Sequence, residues 1–341
     1  MGYDVTIGIP VYRAENYIKQ TMESALAQTY PCIEFLVADD ASDDSSIDIV
    51  KELQATHPRG KDIHIVSNPH NLGASETRNR IIDKAKGEYL YFLDSDDIIS
   101  NETIALLVKH IKGDDAEIAF GSYEKIEQNG SRSIYQYPEL HFKDGDDFAI
   151  FAYRKYAGIQ ASCCNYLVKL SVLRDCGLRF HQSKFWEDTV FTLELATHIQ
   201  CAVLLPDITY SYLCRENSLS DIQEKEKIAK EDIVQYLNTV AYLKEDKERL
   251  KNKAYFPNRC YVAVMSDLYI ICNVLKRGKH VNPRFTNTEL KSYLNHPASL
   301  QEILTFRQMR TQNLMLYLLS KMPASISIFI IRLFAKKKGL L

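Results

Sequence analysis

Ile33–Ser46 reads IEFLVADDASDDSS, and this stretch decides the fold class. An apolar run of strand length ends in two aspartates, and a helical pattern follows from Ser45. Glu88–Asp97, EYLYFLDSDD, shows a similar arrangement, with an apolar run that ends in acids. Uninterrupted apolar strands joined by helices are typical of a parallel sheet that is buried on both faces. Ligands of such sheets collect at the carboxyl ends of the strands, so these acids are the first candidates for a functional site.

The same alternation extends over the N-terminal part of the chain. Four apolar strands alternate with helical patterns: VTIGIPV, IEFLVADD, DIHIVSN and EYLYFLD, with helices from about Glu15 to Gln28, from Ser45 and from Ala74. Strand and helix patterns mix over Ala116–Tyr212, where AVLLPD and ITYSYL are each predicted as a strand. Beyond about Asp221 amphipathic helical patterns remain without a convincing strand. The sequence therefore predicts an α/β, Rossmann-like, mostly parallel sheet flanked by helices in residues 1–220, followed by a helical region in residues 221–341.

Composition narrows the function classes. The chain has 341 residues, of which 46% are hydrophobic, so it can form two domains or one domain with an extension. A formal net charge of -2 offers no general attraction for nucleic acid, and we expect no such partner. The eight cysteines contain no CxxC pair and are interpreted as reduced thiols. The N-terminal segment lacks the features of a signal peptide, which predicts a cytoplasmic location.

The stretch LMLYLLSKMPASISIFIIRLFAKKKGLL, Leu314–Leu341, is the most apolar of the chain. Lys321, Pro323 and Arg332 interrupt it, so a membrane span is not predicted. Its basic end fits a helix that lies on an anionic membrane surface at the inner face of the cytoplasmic membrane, or a packed helix with a solvated end. Aromatic-rich helices such as Ala254–Leu275 fit contacts between subunits of a homo-oligomer as well as contacts within one chain.

Two acidic clusters follow alternate strands of the predicted sheet. Asp39 and Asp40 close the second strand, and Asp94, Asp96 and Asp97 follow the fourth. Carboxylates gathered in one crevice repel each other and need a cation, and oxygen ligands suit Mg²⁺ or Mn²⁺. With few protein ligands, the metal can complete its coordination with a diphosphate. The competing interpretation is a strand end followed by a helix N-cap, for which Asp and Ser are also favoured.

Two further segments carry candidate residues. Arg78 lies one turn inside the helix that begins in NLGASETRN, where its guanidinium suits a nucleotide or its phosphates. An ion pair with a neighbouring acid is the alternative. Glu187 and Asp188 stand at a predicted helix start, where acids also complement the helix dipole without any catalytic role.

The segments IPVYRAENYI, DDASDDSS, NLGASETRN, FLDSDD and WEDTVF, in this order and spacing, resemble the family-2 glycosyltransferases of the GT-A fold. Many members build bacterial polysaccharides, and the resemblance covers about Val5–Ser220. It implies an inverting transfer of a sugar from a nucleotide sugar, with UDP favoured, to a saccharide or lipid-linked acceptor. It also implies a divalent metal, Mn²⁺ or Mg²⁺.

The resemblance implies a role for each candidate residue on the donor side. Pro10, Val11 and Tyr12 would line the nucleotide pocket, which Arg78 would complete. Asp40 would hydrogen-bond the base with Asp39 supporting it.

The resemblance also implies roles around the reacting groups. Asp94 would meet the ribose or the sugar, and Asp96 would ligate the metal that bridges the diphosphate. Asp188 would be the general base, and Glu187 would assist acceptor binding or orient the base. YLCRENSLS resembles the Tyr-Arg…Ser segment of the family, which implies that Arg215 reaches the diphosphate.

Two other functions stay open at this point. A nucleotidyltransferase would share the nucleotide-binding sheet and the metal carboxylates, although the glycine-rich loop expected near its first strand is absent. A nucleotide-sugar-binding scaffold that has lost catalysis would bind donor and metal without turnover. Retention of Asp94, Asp96 and Asp188 favours the enzyme.

Overall fold

The computed structural model describes residues 2–154, 158–160, 162–183, 186–215, 228–278 and 280–339. The chain forms two compact units. Unit 1 comprises Met1–Phe148, Ala161–Gln182 and Glu194–Ser218, and unit 2 comprises Ala149–Gln160, Ser183–Leu193 and Leu219–Leu341.

Four parallel strands form the first half of the sheet in unit 1. They are β1 (Val5–Val11), β2 (Ile33–Asp39), β3 (Ile63–Ser67) and β4 (Tyr89–Phe92), in the spatial order β3-β2-β1-β4. β2 and β4 are buried along their whole length, as in parallel sheets covered on both faces, and β2 buries Glu34 among its apolar residues. Because the chain order reverses beside β1, the carboxyl ends of the strands face a crevice at a topological switch point. The predicted α/β fold with a mostly parallel sheet is confirmed.

Helices connect these strands. They are α1 (Ile18–Leu26), α2 (Ser46–Thr56), α3 (Ala74–Lys84) and α4 (Thr103–Gly113). α3 packs closely on β1 at Gly8, where an added Cβ would lie 2.3 Å from Cγ2 of Ile81. Glycine at this position therefore allows the close helix–strand packing that sets the position of α3.

The second half of the sheet mixes strand directions. It contains β5 (Ile98–Ile99), β6 (Ile118–Ile126), β7 (Arg132–Tyr135), β8 (Leu140–Phe142), β9 (Tyr166–Lys169) and β10 (Ala202–Leu213), and the order continues from β4 as β9-β6-β10-β5. The two apolar runs predicted as AVLLPD and ITYSYL form the single strand β10, with register shifts between Leu204 and Tyr210. Pro206 lies in this irregular part, and proline has no N–H for a regular ladder.

The remaining helices are distributed over both units. α5 (Gly145–Ala152) and α7 (Glu187–Leu195) contribute residues to both, and α6 (Leu170–Asp175) belongs to unit 1. Unit 2 contains the other helices: α8 (Lys230–Ala241), α9 (Lys247–Leu250), α10 (Phe256–Lys276), α11 (Asn287–Ser292), α12 (Leu300–Thr305), α13 (Arg310–Lys321) and α14 (Ala324–Lys337).

Unit 2 is helical, as predicted, with one departure. Two strands of two residues, β11 (Ile228–Ala229) and β12 (Val281–Asn282), pair in parallel. The expectation of no strand beyond Asp221 was therefore wrong, because two residues are too few to produce a periodic pattern. In the part of the chain that the structure describes, the helices fall short of the length and hydrophobicity that a bilayer crossing requires.

A buried ion pair lies inside unit 2. Nζ of Lys244 is 2.5 Å from Oδ2 of Asp267, whose residue is only 1% exposed. Nζ of Lys244 also donates to the carbonyl oxygen of Tyr293 at 2.6 Å. Burial raises the pKa of Asp267 to about 6, and the charge of Lys244 offsets part of that shift. α10, which carries Asp267, is thereby linked to the segments around Lys244 and Tyr293.

Asp267→Asn is expected to change how stability depends on pH. The pKa of Asp267 is raised in the folded state, so the folded protein holds the proton of this carboxyl group more tightly than the unfolded chain does. The resulting contribution to the free energy of unfolding is fully present below the unfolded pKa, near 4, and is lost as pH rises through about 6. The free energy of unfolding of the parent should fall more steeply from pH 4 to pH 7 than that of the variant, as measured by urea titration. Asp246→Asn, at an exposed aspartate of unit 2, is the control that should keep the parental slope. Equal slopes in all three proteins would contradict the assignment.

Candidate active site

The carboxyl ends of β1, β2 and β3 are tied together by the backbone. Val11 pairs with Asp39 in the parallel ladder, and the amide of Asp40 donates to the carbonyl of Val11 at 2.8 Å. The amide of Asn68 donates to the carbonyl of Asp39 at 2.8 Å. The polar residues that follow the second and third strands therefore meet at one edge of the sheet, as the sequence pattern predicts.

The carboxylate of Asp40 holds the turn that precedes α3. Its Oδ1 accepts hydrogen bonds from Nδ2 of Asn68 at 2.7 Å and from the amide of Leu72 at 2.8 Å. Its Oδ2 accepts from the amide of Gly73 at 2.9 Å. Gly73 has a φ of +87°, a conformation that favours glycine, and it lies directly before the helix that carries Arg78. Asp40 thus fixes the start of α3.

Asp40→Ala is expected to destabilise the fold by about 3 kcal/mol, because it leaves buried amide donors without an acceptor. Urea unfolding measures the change. Asp43→Ala is the matched control: this acid lies in the same loop, is 65% exposed and pairs with Arg13. The control should stay within about 0.5 kcal/mol of the parent. Equal stability of the two variants would show that the Asp40 contacts contribute nothing.

The residues predicted to line a nucleotide pocket differ in exposure. The side chain of Val11 is buried in the core, and Pro10 is half-buried. Tyr12 is 42% exposed, and the guanidinium carbon of Arg13 lies 5.2 Å from the centre of its ring. Oδ1 of Asp39 accepts from the amide of Ser42 at 2.9 Å. Of Pro10, Val11 and Tyr12, the last offers the most side-chain surface to a ligand.

Arg78 and Asp94 form an ion pair at the end of β4. Nη2 of Arg78 lies 2.9 Å from Oδ1 of Asp94, with side-chain exposures of 9% and 31%. The guanidinium carbon of Arg78 also lies 5.6 Å from the centre of the Phe180 ring. Arg78 therefore forms the ion pair that was one of its two predicted roles. Its partner Asp94 is itself a candidate site residue, so the ion pair is compatible with the other role, contact with a nucleotide.

Asp96 forms an ion pair with Arg215, which follows β10. The guanidinium carbon of Arg215 lies 4.2 Å from the centre of the Tyr17 ring. Burial lowers the pKa of Arg215, and its Nε is buried without a hydrogen-bond partner. A half-buried guanidinium whose Nε lacks a protein acceptor suits an anionic ligand. The rest of the predicted Tyr-Arg…Ser segment, residues 216–220, lies outside the described residues.

Asp97 and Asn68 also belong to this edge of the sheet. The sequence placed Asp97 in the acidic cluster without an individual role and assigned no role to Asn68. Asp97 is 1% exposed and accepts from the hydroxyl of Tyr210 at 2.6 Å and from the amide of Leu213 at 2.8 Å. Burial and the charge of Asp94 raise the pKa of Asp97 to about 7. Asp97 thereby stabilises the end of β10, where Leu213 lies two residues before Arg215. The signal for Asn68 was its position directly after the third strand.

The acidic cluster fits a metal that takes few protein ligands. Within the ranges that the structure describes, no three metal-ligating side chains come together. The side chain of Asp96 is 20% exposed and that of Asp94 31% exposed, so both carboxylates are within reach of solvent. Mg²⁺ commonly binds one or two carboxylates and takes its other ligands from water and phosphate. The donor set is therefore compatible with a metal that arrives with a diphosphate.

Glu187 and Asp188 lie in unit 2, in the first turn of α7. Oδ1 of Asp188 accepts from the amide of Thr189 at 2.6 Å. Trp186, with a φ of +58°, precedes them, and its ring lies 4.8 Å from that of Tyr236 in an edge-on arrangement. The pair therefore stands at a helix start beside an aromatic cluster.

Comparison with known proteins gives a family match. Residues 6–177 match the family model described as glycosyl transferase family 2. Glycosyltransferase GlyA of Streptococcus pneumoniae serotype 4 is 30% identical over 229 residues, which cover 64% of this chain and 32% of GlyA. The chain spans between a third and a half of the length of several such curated relatives.

Two solved structures share the fold. S. aureus TarS 1-349 in complex with UDP-GlcNAc has a TM-score of 0.59 at 17% identity, over 93% of this chain and 90% of that one. The mannosyltransferase PcManGT of Pyrobaculum calidifontis in complex with GDP-Man and Mn²⁺ has a TM-score of 0.54 at 15% identity, over 96% and 88%. At these identities the likeness shows the fold alone.

Proposed function

Because the chain belongs to glycosyl transferase family 2, we propose that it transfers a sugar from a nucleotide sugar to a hydroxyl group of a saccharide or lipid-linked acceptor. One observation carries the proposal. Acids at the carboxyl ends of β2 and β4 lie at one edge of the sheet with the buried Arg78 and the half-buried Arg215. Such an edge offers groups that can bind a nucleobase, a diphosphate and a metal, and these together make up a nucleotide-sugar site.

We propose UDP as the nucleotide of the donor. Asp40, supported by Asp39, would accept from the imide N–H of uracil, since Oδ2 of Asp40 accepts one protein hydrogen bond and a carboxylate oxygen has room for two. Tyr12, with Pro10 and Val11 before it, would cover the nucleotide, and Arg78 would complete the pocket. TarS, which shares the fold, was solved with UDP-GlcNAc, and this supports the choice.

We propose that Asp96 holds a divalent metal, Mn²⁺ or Mg²⁺, with Asp94 near the ribose or the sugar. When bound, such an ion neutralises negative charge on a diphosphate leaving group. Arg215 would then contribute its guanidinium to the diphosphate instead of to Asp96. PcManGT was solved with Mn²⁺, which supports the use of a metal. It was also solved with GDP-Man and not with a UDP-sugar, so the nucleobase has to be determined by experiment.

In the proposed reaction, Asp188 accepts the proton of the acceptor hydroxyl. The hydroxyl oxygen forms a bond to the anomeric carbon while the bond from that carbon to the diphosphate breaks, and the electron pair leaves with the diphosphate. A single displacement of this kind inverts the anomeric configuration. Glu187 would orient the base or the acceptor. These two roles rest on the resemblance of WEDTVF to the Glu-Asp motif of the family.

Two measurements test this function. Calorimetric titration of UDP, with GDP, CDP and dTDP as alternatives, with and without Mn²⁺, should give micromolar, metal-dependent binding of one nucleotide. Incubation with the matching nucleotide sugars and saccharide acceptors should then release the nucleoside diphosphate. Binding without release under all acceptors would favour a scaffold, and pyrophosphate release from a nucleoside triphosphate would favour a nucleotidyltransferase. No binding of any nucleotide would refute the donor site.

A further inference from the structure

Helix α14 is apolar on two faces. Ile328, Ile331 and Ala335 are buried in the core of unit 2, where α14 packs against α10 and α11. A second set of apolar residues has relative exposures between 37% and 60%: Ile326, Phe329, Ile330, Leu333 and Phe334. The second set is spaced by three and four residues, so it forms one continuous strip along the helix. The outer face of a helix packed on a core is ordinarily polar, so this strip calls for a partner.

The neighbouring helices extend the exposed apolar surface. Met315 and Leu318 on α13 are 66% and 48% exposed, and Leu304 on α12 is 54% exposed. Among the described residues, nine of the fifteen large hydrophobic side chains with high exposure lie between Leu300 and Phe334. Exposed apolar groups are therefore concentrated in α12, α13 and α14, and scattered elsewhere.

The same part of the chain is strongly basic. Residues 303–341 contain seven lysines and arginines and no aspartate or glutamate, whereas the whole chain has a net charge of -2. Arg332, Lys336, Lys337 and Lys338 are exposed on or directly after α14. Lys337 continues the spacing of the apolar strip, four residues after Leu333. Positive charge thus surrounds the strip, which identifies its partner as an anionic surface.

We propose that α14 binds the interface of an anionic lipid membrane through this strip. An apolar face with lysines and arginines at its border is the pattern of a helix that lies in the plane of the interface. The helix has 14 residues and is about 21 Å long, shorter than the ~30 Å hydrocarbon core, so it lies on the membrane and does not cross it. The inference goes beyond the proposed function, because lipid binding requires neither donor nor metal.

A second copy of the chain fits the strip less well. A two-fold symmetric contact would bring the same patch of both copies together. Arg332 and Lys336–Lys338 would then lie in or beside the contact, and residues 303–341 of the second copy contain no acidic residue to pair with them. Anionic lipid headgroups pair with these basic residues, while the acyl region takes up the apolar side chains.

Vesicle flotation tests the proposal on the whole chain. Vesicles of phosphatidylcholine with about one third phosphatidylglycerol should carry the protein upward, and vesicles of phosphatidylcholine alone should carry it much less. Phe329→Ser combined with Leu333→Ser should lower binding by about tenfold or more, because both side chains are exposed and would enter the interface. Lys336→Gln combined with Lys337→Gln should lower binding to the anionic vesicles and leave binding to the phosphatidylcholine vesicles unchanged.

Two controls test whether removing any exposed apolar side chain or any exposed lysine would lower vesicle binding. Ile134→Ser removes an equally exposed apolar side chain from β7, 59% exposed, and Lys51→Gln removes an exposed lysine from α2. Both should bind vesicles like the parent, and unchanged circular dichroism would show that all variants fold. Parental flotation of the Phe329/Leu333 variant would overturn the proposal. A dimer that this variant dissociates, without any vesicle binding by the parent, would assign the strip to a second copy instead.

Discussion

Asp96→Asn is expected to lower kcat/KM for sugar transfer by about 100-fold or more. Asp96 is the acid of the DSDD cluster proposed to hold the metal, and its side chain is within reach of solvent. Asparagine keeps the size of the side chain and an oxygen ligand, but it removes the charge that attracts a divalent cation. Initial rates at several Mn²⁺ concentrations, together with calorimetry of UDP, measure the loss.

Asp43→Asn provides the matched control for the loss of one negative charge. Asp43 is an acid in the loop after β2, 65% exposed, and its known partner is Arg13. We expect its rate to stay within about twofold of the parent, since an exposed ion pair contributes little. If Asp96→Asn kept both Mn²⁺-dependent UDP binding and the parental rate, the metal would have to bind elsewhere.

Unfolding measurements distinguish a role in chemistry from a role in the fold. The ion pair of Asp96 with Arg215 is partly solvated, with side-chain exposures of 20% and 27%. Its loss should therefore change the urea midpoint far less than the loss of the buried contacts of Asp40. A variant that is inactive and stable points to the ligand, and one that is inactive and unstable points to the fold.

The parallel half of the sheet could be predicted from the sequence because its signal is local. β1 to β4 are short, mainly apolar runs separated by helical patterns, and each strand was found at its predicted place. β10 was predicted in two pieces because Pro206 interrupts the strand pattern, whereas its neighbour β6 continues through the irregularity. The pairing of β11 with β12 involves two residues from each, and such a contact depends on tertiary structure alone.

The sequence predicted that candidate residues share one edge of the sheet, but it could not predict their contacts. Parallel strands bring their carboxyl ends to one edge, so Asp39, Asp40 and Asp94 had to lie near one another. The pairing of Arg78 with Asp94, and of Asp97 with Tyr210 at 113 residues' distance, depends on side-chain direction in the folded chain. No spacing rule in the sequence encodes such partners, and the same holds for the loop contacts of Asp40.

Asp188→Asn is expected to lower kcat by about 10²–10⁴-fold while leaving UDP binding unchanged. Asparagine can replace the aspartate as a hydrogen-bond acceptor for the amide of Thr189 and is tolerated near a helix start, but it cannot take a proton. The substitution therefore separates the two interpretations of the acidic pair in α7. Rates under saturating donor and acceptor, calorimetry of UDP and a urea titration give the three quantities needed.

Glu187→Gln is the matched control, since it removes the neighbouring charge from the same first turn of α7. If the acids serve only the helix dipole, both variants should lose a similar, small part of their stability and keep kcat within a few fold. If Asp188 is the base, its variant should lose far more turnover than Glu187→Gln, which removes only a group that orients the base or the acceptor, while both variants remain folded. Nearly parental turnover by Asp188→Asn would move the base to another residue and leave the donor site of unit 1 unaffected, because UDP binding is measured separately.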